Sequence, residues 1–133
     1  MLKKILNKIY LIILFIFLLL ALILYPKTKT ETINFKIKNK TYKLFIADSI
    51  GEWTKGLMNI KKLNNADGMM FIFKDKKFRT FWNKNTYLDL EVYWILDEKV
   101  IGKSYLPSIE KTKELIYVNS PAPVNKVVEI VIK

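Results

Sequence analysis

Ile33-Asn34-Phe35-Lys36-Ile37-Lys38-Asn39-Lys40-Thr41-Tyr42-Lys43-Leu44-Phe45-Ile46 decides the fold class of this chain. Apolar side chains fall at 33, 35 and 37 and again at 42, 44 and 46, with polar ones between them. That period of two belongs to strands with one buried face, and the Asn39-Lys40 break predicts a hairpin between them. The alternation stops at Asp48-Ser49. Ser49 and Glu52 have the spacing of a capping box, and Ile50, Trp53 and Leu57 share one face of a short helix ending near Gly56. Asn64 to Gly68 reads as a turn. Met69 to Phe73 is a continuous apolar run, the pattern of a strand covered on both sides. Asp75-Lys76-Lys77 is expected to turn the chain into a strand at Phe78 to Trp82. Further strands are expected at Leu88 to Leu96, Val100 to Leu106, Leu115 to Val118 and Lys126 to Ile132, with a loop at Pro107 to Glu114. Seven to eight short strands with one or two short helices predict a mainly β (β-rich α+β) domain, a small sandwich or barrel.

The N-terminus has a different character. Residues 9–25 contain no charge, amide, Gly or Pro. At 1.5 Å per residue they would reach roughly 26 Å, near what a bilayer requires. The expected organisation is a basic cytoplasmic flank over 1–8, a single-pass transmembrane helix acting as signal anchor over 9–25, a polar tether over 26–32 and a globular domain over 33–133. That places the domain at the cell membrane on its extracytoplasmic side. A cleaved signal peptide or a buried core helix are the alternatives. Ala21 is the only small residue in the run, and bulky neighbours make it a poor cleavage site.

The chain carries 23 Lys and Arg against 12 Asp and Glu, a net +11, yet Arg79 is its only arginine. Base readers favour arginine for bidentate contacts, so a solvated basic surface is expected and nucleic acid is not an expected partner. With no His and no Cys, thiolate nucleophiles, Ser-His-Asp triads, disulfides and ordinary zinc sites are excluded. Any catalysis would rest on Asp, Glu, Lys, Tyr or Ser. No residue set calls for a metal or another cofactor, and Met58, Met69 and Met70 read as core fillers.

Lys55-Gly56-Leu57-Met58, Gly68-Met69-Met70-Phe71-Ile72-Phe73 and Phe81-Trp82-Asn83-Lys84-Asn85-Thr86 occur in that order. Together they resemble three successive blocks of the prokaryotic family known as domain of unknown function 192: Arg-Gly-Leu-Met, Gly-Met-Leu-Phe-x-Phe and Phe-Trp-Met-Lys-Asn-Thr. Val127-Val128-Glu129-Ile130 is similar to its late Val-Leu-Glu-Leu block. The resemblance covers about Lys43 to Ile130 and implies a small β-rich domain, often secreted or membrane-anchored, with no established activity. Lys55 stands where the family has Arg, Asn83 where it has Met, and Asp89 and Glu91 where it has Pro and Asp.

Trp82, Lys84, Asn85 and Thr86 form the main candidate site. An aromatic ring, an ammonium, an amide and a hydroxyl within five residues can stack on and hydrogen-bond a polar ligand such as a sugar. The competing account has Trp82 in the core, Asn85-Thr86 in a turn and Lys84 in water. Phe81 and Trp82 are neighbours on a strand, so only one can face the main core. Lys55 and Glu91 join the candidates as an ion pair across a cleft, and Asp89 with Glu91 is weighed as a carboxylate pair. The expected role is binding of a small polar ligand, an envelope glycan or polymer, or a partner protein. The alternatives are an enzyme using Asp89 or Glu91 with Lys55 or Lys84, or a structural subunit of a membrane complex.

Overall fold

The computed structural model of the chain describes residues 1–24 and 31–133. Its elements run α1 (Leu2–Leu24), β1 (Thr32–Ile37), β2 (Lys40–Ala47), α2 (Ile50–Lys55), β3 (Gly68–Lys77), β4 (Thr80–Trp82), β5 (Leu90–Leu96), β6 (Lys99–Leu106), α3 (Ile109–Thr112), β7 (Tyr117–Asn119) and β8 (Val124–Val131). The described residues form a β-rich α+β domain with eight strands and three helices. The first hairpin is as the alternation predicts: β1 and β2 pair antiparallel from Thr32 opposite Phe45 to Ile37 opposite Lys40. Lys38, at φ 54°, takes the left-handed turn conformation.

Six strands form one sheet in the order β1-β2-β3-β8-β5-β6, and β4 pairs with β7 in a separate two-stranded sheet. The strand β2 lies parallel to β3, so the chain between them must cross over the sheet. It does so through α2, with Ser49 as N-cap in a complete capping box with Glu52. The last strand, β8, inserts between β3 and β5 and runs antiparallel to both. Gly68 permits the close approach there: a Cβ would lie 1.8 Å from the Glu129 carbonyl oxygen.

Two expectations are corrected. The sheet is open, with β1 and β6 at its edges, and no closed barrel is present among the described residues. Closure fails because β8 enters the middle of the sheet while β4 and β7 leave it for a pairing of their own. The second correction concerns the transmembrane helix and signal anchor expected over residues 9–25. Helix α1 begins at Leu2, so its first two turns carry Lys3, Lys4 and Lys8. From Ile9 to its end at Leu24 the helix runs roughly 24 Å, short of a hydrocarbon core of about 30 Å. No helix among the described residues is long and apolar enough to cross a membrane. Tyr25 and most of the 26–32 tether lie outside the described residues, while Thr32 already belongs to β1.

Each face of the large sheet has its own core. Leu57, Phe71, Leu90, Val92, Trp94, Leu106, Val124 and Val127 are buried on one face, where Phe81 of β4 and Val118 of β7 pack down on them. Tyr42, Leu44, Met70, Tyr93, Ile95, Val128 and Ile130 are buried on the other. Each large side chain fully buried this way stabilises the fold by about 1.5–3 kcal/mol. The central strands β3, β8 and β5 therefore supply both cores, which is why their sequences read as runs and not as alternation.

Candidate functional site

Between α2, β3 and the β4 strand lies a cavity of about 340 Å³. Local structure sets its walls. The Trp53 indole donates to the Ala47 carbonyl at 3.0 Å and meets Phe73 with ring centroids 5.0 Å apart, which docks α2 on the sheet. The helix stops at Gly56, whose φ of 47° suits glycine and whose N–H donates to the Glu52 carbonyl at 2.7 Å. A Cβ there would stand 3.2 Å from the Phe71 ring, so glycine also lets the helix end sit on that wall. Phe81 meets Phe71 edge-on at 4.8 Å and Trp94 at 5.8 Å.

Arg79 also lines the cavity. Its backbone N–H donates to Ser120 Oγ at 2.9 Å, and its carbonyl accepts from the Ser120 N–H at 2.9 Å. The guanidinium lies 3.9 Å from the Phe73 ring centroid and is ion-paired with Asp75. Lys77 foremost, and then this pair, hold the Asp75 carboxyl below its usual range. Arg79 Nε is buried without an acceptor.

Glu129 lines the cavity and is 5% exposed. It stands on β8 between Met69 of β3 and Val92 of β5, on the face that carries the Phe71 core. No described side chain or backbone group donates a hydrogen bond to its carboxyl. Burial alone pushes its pKa up from 4.5 to about 8, so it is mainly protonated at neutral pH. Glu129 is not among the residues that the sequence singles out as site candidates. The available signal was an acid inside Val127-Val128-Glu129-Ile130-Val131, a run apolar at both strand parities, where neither face is wet.

The structure brings some of the sequence candidates to this cavity and leaves others away from it. Lys55, Trp82 and Thr86 line it. Trp82 is 42% exposed and tilts against Tyr117 at 6.1 Å, while its neighbour Phe81 packs inward. Lys84 is not part of the lining, but its ammonium sits 5.1 Å from the Trp82 ring centroid. Asn85 serves the turn: it is left-handed at φ 51°, and its carbonyl accepts from the Asn59 N–H at 2.8 Å. Thr86 is buried and its hydroxyl donates back to the Lys84 carbonyl at 3.2 Å. Asn83, fully buried, ties this turn to the α3–β7 segment: its amide donates to Thr112 Oγ1 at 3.0 Å, and its carbonyl accepts from Ile116 N–H at 2.8 Å.

The Lys55–Glu91 pair does not form. Glu91 lies on the other face of the sheet, where it accepts from Lys103 at 2.7 Å and from the Tyr93 hydroxyl at 2.7 Å. These bonds hold its carboxyl below the usual range. Strand parity explains the separation, because Leu90 and Val92 occupy the cavity face and Glu91 must point away from it. Asp89 accepts from the Ser108 N–H at 2.8 Å and pairs with Lys111 at 3.4 Å, and the Ser108 bond foremost lowers its pKa. Asp89 and Glu91 are thus separately engaged. Met58 lines the cavity, Met70 is buried in the opposite core, and the described residues include no cluster of three or more acidic metal ligands.

Residues 32–132 match the family of domain of unknown function 192, described as an uncharacterized ACR. No curated protein matches the chain. Among solved structures it is similar to a candidate transcription regulator from Sinorhizobium meliloti 1021, with 22% identity and a TM-score of 0.62, over 80% of this chain and 84% of that one. It is also similar to a protein of unknown function from Novosphingobium aromaticivorans DSM 12444, with 20% identity and a TM-score of 0.65, over 80% of this chain and 78% of that one. At these identities the likeness is one of fold. The chain belongs to the domain of unknown function 192 family.

Proposed function

We propose that this DUF192 domain is a binding module, and that it holds a small polar ligand in the cavity between α2, β3 and β4. One observation carries the proposal: Glu129 is a buried carboxyl, 5% exposed, that lines an aromatic-walled space with burial as the only influence on its proton. Taking a carboxyl out of water costs free energy, and a ligand that bonds to it offsets that cost. The cavity volume falls at the lower end of the roughly 300–1,000 Å³ typical of ligand sites, which suits a compact molecule. Trp82 and Lys84 at the rim add a ring to stack on and a charge beside it. The engagement of Asp89 by Ser108 and of Glu91 by Lys103 supports binding over carboxylate–lysine catalysis.

The test is saturation-transfer NMR on the full chain with a panel of small sugars, polyols and amines. At least one compound is expected to bind, and its signal should fall in Glu129→Gln and in the Trp82→Ala/Lys84→Ala double variant. Binding that survives both changes moves the site elsewhere. A panel without a single binder removes the proposal.

A further inference from the structure

The cavity's lining narrows the chemistry of what can sit in it. Trp53, Phe71, Phe73 and Phe81 offer ring faces and edges, and Glu129 is the only acid among the lining residues. Two cations line the same space, yet neither forms an ion pair with Glu129. Arg79 is paired with Asp75 and lies on the Phe73 ring, with its Nε buried and unbonded, and Lys55 sits exposed at the end of α2. The strands on either side present Met69 and Val92, so no charge faces the carboxyl from β3 or β5. Burial is accordingly the sole influence on its proton, with no contribution from a neighbouring charge.

We infer that the cavity takes a small organic ammonium ion, whose N–H groups donate to Glu129 and whose carbon skeleton packs against Phe71 and Phe81. The inference rests on the binding role proposed above and names the ligand class of that site. An ammonium supplies both what Glu129 lacks, hydrogen-bond donors and an opposite charge. Aromatic faces add cation–π attraction that strengthens where water is excluded. A neutral hydroxyl supplies one donor and no charge. A carboxylate ligand would meet Glu129 with repulsion once that group ionises.

Binding also moves a proton. The free carboxyl holds its proton at neutral pH, since its pKa lies at about 8. The bound ammonium favours the ionised form, so each binding event below that pH releases the Glu129 proton to solvent. Affinity should therefore rise as pH increases, by up to about tenfold per unit, and level off above the pKa.

Isothermal titration of the full chain with benzylammonium, benzyl alcohol and benzoate tests this. The three probes share a ring and differ in charge. Benzylammonium is expected to bind at least about tenfold tighter than either of the others. It should tighten from about pH 6 to about pH 8 with release of up to one proton. Glu129→Gln, close in size to glutamate, should reduce benzylammonium to the alcohol's affinity and abolish its pH dependence. Equal affinity for alcohol and ammonium overturns the ammonium assignment and leaves the small-ligand role standing. Preference for benzoate assigns the cavity to Lys55 and Arg79 and overturns the inference. Tight ammonium binding that survives Glu129→Gln overturns it too, and failure of all three probes overturns the ammonium assignment, while the binding role stands or falls on the sugar, polyol and amine panel.

Discussion

Glu91 and Glu129 sit on neighbouring strands in nearly the same register, Glu91 opposite Ile130 and Glu129 opposite Val92, but on opposite faces of the sheet. Glu91 is satisfied: Lys103 and Tyr93 bond to it and hold its proton affinity down. Glu129 has no protein partner, and burial lifts its pKa to about 8. The same side chain thus behaves as a surface anion on one face and as a neutral buried acid on the other. What separates them is the covering. The Glu91 face is open enough at that point for lysines to reach, whereas α2 and β4 roof the Glu129 face with aromatic rings.

The largest effect is expected where β3 and β8 approach most closely. Gly68→Ala would drive a Cβ into the Glu129 carbonyl, and backbone cannot yield as a flexible side chain does. The expected loss is about 3 kcal/mol or more, measured by urea unfolding at neutral pH. A loss below about 1 kcal/mol would show that the strands can part there and that Glu129 is less rigidly placed than its burial indicates.

Next comes Glu129→Gln. Because the folded-state pKa is raised above 4.5, the native state holds a proton that the unfolded chain releases. Stability is thus fully present below pH 4.5 and declines as pH rises towards 8, where it levels off. The glutamine variant carries no such charge and should be more stable than the parent by about 1–3 kcal/mol at the upper end of that window. Thermal unfolding across the window checks both the sign and the flattening. A parent curve that rises through the same range would mean that Glu129 is already paired.

Glu91→Gln is expected to do less and to act at the other end of the pH scale. Its pKa is lowered, so its contribution exists above the ordinary glutamate value and is lost as pH falls through the folded-state value. The pair with Lys103 is partly solvated, and the expected cost at neutral pH is under about 1 kcal/mol, vanishing in acid. If both glutamine variants shifted stability in the same direction, the contrast between the faces would not hold.

Much of this architecture is legible in local sequence. The alternation from Ile33 to Ile46 gives the hairpin, and the Ser49–Glu52 spacing gives the helix start. Strand neighbours are another matter. Nothing in side-chain periodicity tells β8 to enter between β3 and β5, because the partners are distant in the chain and hydrogen-bond through backbone alone. Asp75-Lys76-Lys77 looks like a turn, yet β3 continues to Lys77 with an irregularity after Ile72, since an exposed strand end tolerates charges. The loop expected at Pro107 to Glu114 contains the single turn of α3, too short for periodicity to reveal. At the site, Lys55, Trp82 and Thr86 are recognisable as chemistry-bearing residues, but Glu129 needs knowledge of which strand is covered on both faces. Glu91 misleads for the same reason: one position along a strand reverses the face.

The smallest stability effect is expected at the rim, and it separates binding from folding. Trp82 is 42% exposed and leans on Tyr117 and Lys84, whereas Phe81 beside it packs on Phe71 and Trp94. Trp82→Ala removes a ring that contributes little to the core, so the expected loss is about 1 kcal/mol or less. Occupancy of the cavity is nonetheless expected to fall, because Trp82 is among the residues lining it. Titration of benzylammonium into Trp82→Ala against the parent separates the two roles. Weaker binding with unchanged unfolding assigns Trp82 to the ligand. Unchanged binding would confine recognition to other lining residues, Glu129, Phe71 and Phe81 among them.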